Sequence, residues 1–325
     1  MSRTTEEQFP ALSARIPDAE ARAHFTWPFL CASEVFDELV DAASAELLRR
    51  AGAWPVAPGT DPAALVTARG WAPRSLPLVA FVHRKLAAAG HLVAGPGGYA
   101  PSGTEPGNLE ALEADLAAID ADSAVAGEAV RILVEEAGSF LSGEKTGEEI
   151  LFRPDRLPLW FRYFSNRNLL YGVNNSLGAL ALSRVLPASG ARVLEIGGGA
   201  GSAAEAALTH LGERVSRYLF TEVVPTFARR GERAARAAAA PGVVVEAARL
   251  DMTKPWAPQG AAPGAFDAVY SVNCFHVAPD LATVLAEARE ALAPGGALVV
   301  SECVRPLGND QPIYVELVFD LLESF

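Results

Sequence analysis

Apolar positions recur along this chain with two different periods, and the change between them divides it. From Ser33 to Arg50 the residues Val35, Phe36, Leu39, Val40, Ala43 and Leu47 fall on one stripe, which predicts an amphipathic helix. Asp61-Pro62 opens a second helix, an N-cap residue followed by proline in the first turn. A third runs from about Leu76 to Ala89 and stops at Gly90. In His91–Ala100 two short apolar stretches flank Gly95-Pro96-Gly97-Gly98, the pattern of a small hairpin. Three helices and a hairpin predict a winged-helix-like, mostly helical N-terminal domain. Residues 102–150 read as a polar loop followed by acidic helices, a connecting or lid segment.

From residue 191 the pattern becomes strand and helix in alternation. Strands are predicted at Ala191–Ile196, Arg217–Thr221, Val243–Ala247, Ala265–Val272 and Gly296–Glu302. Helices are predicted at Ala203–Leu211, Pro225–Ala239 and Asp280–Leu292. Short apolar strands separated by helices predict an α/β fold, a parallel sheet covered on both faces. Ligands of such sheets bind beyond the carboxyl ends of the strands. The division falls near residue 150, giving domains 1–150 and 151–325. No repeat of fixed period is present.

Composition narrows the classes. The chain has 325 residues, half hydrophobic and a fifth charged, which suits packed domains and argues against global disorder. A formal charge of −12 repels phosphate, so nucleic acid is not an expected partner. The third helix carries only His83, Arg84 and Lys85 as basic groups, so the N-terminal module is read as a packing or dimerisation element. Cys31, Cys274 and Cys303 form no metal or disulfide pattern, which fits a reducing cytoplasm. The polar start, with Glu6 and Glu7, does not resemble a signal peptide. No apolar run reaches the roughly 18 residues of a membrane span.

The residues with chemical promise fall just after the predicted strands. Glu195 ends the first strand and leads into Gly197, Gly199 and Gly201. Glycine allows a tight turn and lets a ligand approach bare backbone. A dinucleotide fingerprint would need glycine where Ser202 stands. Glu222 follows the second strand, 21 residues beyond Gly201, where an acid accepts hydrogen bonds from ribose hydroxyls. After the third strand, Asp251 could accept from an adenine amine while Leu250 or Met252 packs the ring; the alternative is a local capping aspartate. The fourth strand runs into Asn273-Cys274-Phe275-His276, and His276 offers acid–base or metal chemistry. Glu302 closes the fifth strand and could orient His276. Tyr163, Asn168, Tyr171 and Asn174 precede the first strand, on a segment that could close over a cofactor or pack as an ordinary helix.

From about Phe161 onward the chain resembles class I S-adenosylmethionine-dependent methyltransferases, with their Rossmann-like sheet. More narrowly it resembles the C-methyltransferase domains of polyketide synthases. The resemblance rests on Val193–Gly201, Tyr218–Glu222, Asn273–His276 and Leu292–Glu302. It implies an S-adenosylmethionine site built from Glu195, Gly197, Gly199, Gly201, Glu222, Asp251, Met252 and Asn273. It also implies His276 and Glu302 as a catalytic pair. Asn273–Ala278, Cys303–Pro306 and Gln311–Tyr314 are most similar to methyltransferases of unusual loading modules. That likeness implies a mononuclear iron or manganese ion on His276 and Gln311.

Class I members normally continue through a further helix and two strands. Here the chain stops at Leu321–Phe325, inside what should be that helix, which reads as a fragment, part of a larger synthase, or as a sheet that another chain completes. The implied reaction is methylation of the α-carbon of a malonyl or β-ketoacyl thioester on an acyl carrier protein. The rival readings are an O-methyltransferase of a small hydroxylated metabolite, a non-catalytic cofactor-binding or docking protein and, weakest, a dehydrogenase. Either enzyme could be a homodimer.

Overall fold

The computed structural model describes residues 3–306 and 311–322. The chain forms two compact units, and neither is continuous in sequence. One comprises residues 1–12, 27–163 and 304–325; the other comprises 13–26 and 164–303. The expected division near residue 150 therefore falls inside the first unit, and the end of the chain belongs to that unit as well.

In the first unit the long helix α1 (Trp27–Arg50) buries Val35, Phe36, Leu39, Val40, Ala43 and Leu47, the stripe its spacing predicts. Helix α2 (Pro62–Arg69) starts where Asp61 accepts from the backbone N–H of Ala64 and ends at Gly70. Helix α3 (Leu76–Ala88) follows, then the antiparallel strands β1 (Leu92–Gly95) and β2 (Gly98–Pro101). Of the three basic residues on α3, His83 and Lys85 are buried. Lys85 Nζ bridges Asp37 at 3.0 Å and Asp41 at 2.7 Å, and Arg84 lies 4.0 Å from Glu316. Burial pushes the Asp41 carboxyl up to about 6 despite that cation.

Residues 102–150 are not a loose connector. Helices α4 (Leu109–Ile119) and α5 (Ala124–Leu141) pack on α1 and supply core. Val125, Val130, Leu133, Val134 and Phe140 of α5 are buried, while Glu128, Arg131 and Glu135 decorate its other face. The acids that suggest a solvated segment thus mark one side of an amphipathic helix. The end of the chain joins the same core. Tyr314 meets Phe36 edge to face at 5.2 Å, and Phe319 packs on Trp160 and Tyr163. Arg305 grips Glu316 through two bonds of 2.7 and 2.8 Å. The last residues, 323–325, lie outside the described residues.

The second unit is the predicted α/β fold. Helix α6 (Leu169–Val185) leads into β3 (Ala191–Glu195), α7 (Ser202–Leu211), β4 (Val215–Thr221), α8 (Pro225–Ala238) and β5 (Val244–Ala248). Then come β6 (Phe266–Val272), α9 (Leu281–Ala291) and β7 (Leu292–Ser301). The five strands are parallel, in the order β5-β4-β3-β6-β7. Successive residues point to opposite faces, as strand geometry requires. Val193, Tyr218, Phe220 and Ala268 join α6 and α7 in one core; Leu194, Leu219 and Val269 join α9 in another. Among the described residues no further strand extends the sheet beyond β7, and no helix is long and apolar enough to cross a membrane. The chain leaves β3 toward β4 and β5 but later returns to β6 and β7 on the other side. In such sheets ligands bind at that reversal, here the carboxyl ends of β3 and β6.

Core packing of α5 sets an expected stability effect. Phe140→Ala should cost about 3–5 kcal/mol, whereas Val93→Ala, on the exposed hairpin, should cost less than about 0.5 kcal/mol. Urea melts of both variants measure this; equal midpoints would contradict a core role for α5.

Candidate active site

The turn after β3 is drawn tight by its neighbours. The Ile196 N–H donates to Tyr270 O at 2.9 Å, and the Gly198 N–H donates to Thr221 O at 2.8 Å, so the turn is tied to both flanking strands. Gly197, Gly199 and Gly201 have φ of +67°, +54° and +90°, the left-handed region that glycine enters without penalty. A Cβ on Gly201 would fall 2.6 Å from Gly231 Cα, so helix α8 closes that side of the turn. A Cβ on Gly199 would meet nothing within 4 Å. Bare backbone therefore faces open space at Gly199 and is walled in elsewhere, which is the shape a cofactor cradle needs.

Three glutamates end strands around this turn, and each is held differently. Glu222 follows β4, with one carboxylate oxygen accepting from Gly199 N and the other from Val224 N, both at 2.8 Å. It is almost buried, yet each oxygen keeps a lone pair for a ribose hydroxyl. Glu195 is sealed beneath the turn. Tyr218 donates its phenol to Oε2 at 3.0 Å, and Oε1 is buried with no hydrogen-bond partner among the described residues. Burial raises its pKa to about 8, against the Tyr218 hydrogen bond, and Glu222 adds to the rise. At neutral pH Glu195 is therefore largely a neutral acid.

Glu302 is the third. Its Oε1 accepts from the backbone N–H groups of Cys274 at 3.0 Å and Phe275 at 2.7 Å. Its Oε2 lies 2.7 Å from His276 Nδ1. The pair forms because β6 and β7 are neighbours and end together. His276 rides the short turn Phe275–Val277, and its side chain is about one-third exposed against 14% for Glu302.

Asn273 makes the bend between β6 and that turn, with φ +49°, the one left-handed residue other than glycine among those described. Asparagine tolerates this region better than most residues. Its Oδ1 accepts from Asn174 Nδ2 at 2.7 Å and from Cys303 N at 3.1 Å.

Asp251 behaves as the local alternative describes. Oδ1 accepts from Thr253 N and Oγ1, and Oδ2 pairs with Lys254 at 2.7 Å. Lys254 and Thr253 hold its carboxyl down at about 2. Met252 is half-buried against the core that contains Leu250. Gln259 fixes this turn, accepting from Asp251 N at 2.8 Å and donating to Asp251 O at 3.0 Å. Nothing in the local pattern marks Gln259, because its role arises only when the loop folds back. Cys274 fills space beside Gly197, where a Cβ would meet its Sγ at 2.2 Å, and burial pushes the thiol up to about 12.

The residues implied as metal ligands are His276 and Gln311. His276 lies in the second unit and Gln311 in the first. Among the described residues no group of three or more His, Cys, Asp or Glu could hold an ion.

Comparison with known proteins agrees with the fold. A methyltransferase-domain family matches residues 194–298. The chain is 30% identical over 227 residues to the highly reducing polyketide synthase 40 of Fusarium pseudograminearum, covering 68% of this chain and 8% of that protein. It therefore spans less than a tenth of that relative. Solved structures share the fold at lower identity. The CurJ carbon methyltransferase superimposes with a TM-score of 0.71 at 23% identity, covering 98% of this chain and 82% of that one. The citrinin polyketide synthase CMeT domain gives 0.72 at 15%, covering 100% and 86%. The trans-methyltransferase CalH, solved as a complex with SAH, gives 0.61 at 19%, covering 90% and 75%.

The state of Glu195 yields a pH prediction. Its pKa in the folded chain is about 8, against roughly 4.3 for an unfolded glutamate, so folded protein holds the extra proton between those values. Stability from this group is present below the lower value and is lost as pH rises through the upper one. Glu195→Gln keeps a neutral acceptor for Tyr218. Its melting temperature should gain on the parent steadily from pH 5 to pH 8.5. Parallel curves would show that Glu195 is ionised in the fold.

Proposed function

Taking the chain as a class I S-adenosylmethionine-dependent methyltransferase, we propose that it methylates carbon, at the α-position of a malonyl or β-ketoacyl thioester presented on an acyl carrier protein. The observation that carries this reading is the His276–Glu302 pair, 2.7 Å apart, at the strand ends beside the glycine turn. The likeness to polyketide synthases and to proteins titled carbon methyltransferases supports it.

When bound, S-adenosylmethionine supplies a methyl group on a sulfonium, open to in-line displacement. Carbon becomes nucleophilic only when an α-proton is removed. Glu302 accepts the Nδ1 proton of His276 and so leaves the lone pair on Nε2, the atom that would take the α-proton. The electron pair left on the α-carbon then forms the new C–C bond as the S–CH₃ bond breaks. Its electrons return to sulfur, and the proton ends on His276. The carboxylate of Glu302 offsets the imidazolium that forms. Two backbone N–H groups hold that carboxylate in place, so it need not reorganise as charge develops. On the cofactor side, Gly199 offers backbone, Glu222 an acceptor for ribose and Met252 an apolar face for adenine, while Asp251 stays tied to Thr253 and Lys254. Asn273 shapes the wall between the two sites.

His276→Ala should lower methyl transfer to a malonyl-loaded carrier protein by roughly 10²- to 10⁴-fold. Calorimetric affinity for S-adenosylhomocysteine should stay within about twofold. Glu302→Gln should lose less, since the amide still accepts at one atom but turns an NH₂ toward a donor at the other. Intact-protein mass spectrometry reads the added methyl. Full turnover by His276→Ala removes the assigned base, and methylation of phenols in preference to the thioester removes the carbon acceptor.

A further inference from the structure

The segments that carry His276 and Glu302 clasp each other. The Asn273 N–H donates to Ser301 O at 2.8 Å, and the Cys303 N–H donates back to Asn273 Oδ1 at 3.1 Å. These bonds bracket Glu302 on both sides. Glu302 in turn reaches the N–H groups of Cys274 and Phe275, the two residues before His276. The distance between base and partner is therefore set by the amide of Asn273 as much as by either reacting side chain.

An amide works in this clasp in only one orientation. Asn273 must point oxygen, not NH₂, at Cys303 N–H, because two donors facing each other would repel. Asn174, on α6, enforces that choice. Its Nδ2 donates to Asn273 Oδ1 at 2.7 Å. Ser301 braces Asn174 from the other side: its hydroxyl is bonded to Asn174 Oδ1 and lies 3.1 Å from Asn174 O. Tyr171, one turn earlier on α6, hydrogen-bonds Asn273 and Ser202 through its phenol. Helix α6 thus ties the ends of β6 and β7 together at a residue whose backbone is already held in the left-handed region.

We propose that Asn174 is a positioning residue: by locking the Asn273 amide it holds His276 at reacting distance and angle from the acceptor carbon. The role rests on the reading of His276 and Glu302 as the reacting pair. Asn174 need not touch acceptor or cofactor to perform it. Asn174→Asp sets an acceptor against Asn273 Oδ1, which drives the amide to flip and breaks the bond to Cys303. A displacement of an ångström or less at the base is enough to cost orders of magnitude in rate.

The experiment compares Asn174→Asp, Ser301→Ala and His276→Ala with the parent chain. Methyl transfer to malonyl-loaded carrier protein, S-adenosylhomocysteine affinity and melting temperature are measured on each. Asn174→Asp should lose roughly 10- to 100-fold in kcat, with KM and product affinity within about twofold. Ser301→Ala, which frees Asn174 on one side only, should show the same split with a loss of roughly 3- to 10-fold. Parent-like kcat in a folded Asn174→Asp overturns the proposal, as does a loss of kcat matched by equal loss of product affinity. Should Asn174→Asp fail to fold, Ser301→Ala decides alone, and parent-like kcat there overturns the role. Full turnover by His276→Ala would instead sink the reading of the reacting pair, an outcome separate from either result at Asn174.

Discussion

Parallel strands all finish on the same edge of their sheet, and this constraint governs the rest of the second unit. Because β3, β4, β6 and β7 run the same way, Glu195, Glu222, Asn273 and Glu302 come together at one end although the chain separates them widely. Each is the last residue of its strand or lies one position past it. The reversal of strand order falls between β3 and β6, where ligands of such sheets bind, and the glycine turn and the His276 turn stand beside it. Backbone hydrogen bonds from Ile196 and Gly198 to the flanking strands carry that regularity into the turn itself.

Three carboxyl groups at this edge show how environment divides one residue type into different roles. Glu222 and Glu302 each receive two backbone N–H donors, which compensate a carboxylate withdrawn from water. Among the described residues Glu195 receives only the Tyr218 phenol, and it is the most deeply buried of the three, so its charged form is disfavoured. One glutamate becomes an acceptor beside the cradle, one the partner of a histidine, and one a neutral group beneath the floor. The same contrast separates Asp251, half-buried and tied to Lys254, from Asp41, which burial pushes the other way despite Lys85.

The first unit draws its core from three separated parts of the chain. The stripe of α1 is covered by α4 and α5, and the residues after Val304 return to the same unit through Tyr314, Phe319 and Leu321. In exchange, residues 13–26 join the second unit. There Asp18 caps a short helical turn and pairs with Arg184 on α6. Such exchanges leave no mark in local pattern, because an apolar residue reads the same whichever core receives it.

Hydrophobic period and capping residues located α2, α3, α7, α8, α9, the hairpin and all five parallel strands to within a few residues and most of α1, while α4, α5 and α6 received no bounds. The glycine turn and the strand-end acids were legible too, since each depends only on residues close together in the chain. The proton on Glu195, the Asn174 lock on Asn273, the Gln259 brace behind Asp251 and the allotment of residues 13–26 and 304–322 were decided by tertiary structure. Asn174 and Ser301 stand 127 positions apart, and Glu195 owes its neutrality to the layers that bury it and to Glu222. Burial and hydrogen-bond partnership are properties of residues brought together from remote parts of the chain, and no local period encodes them.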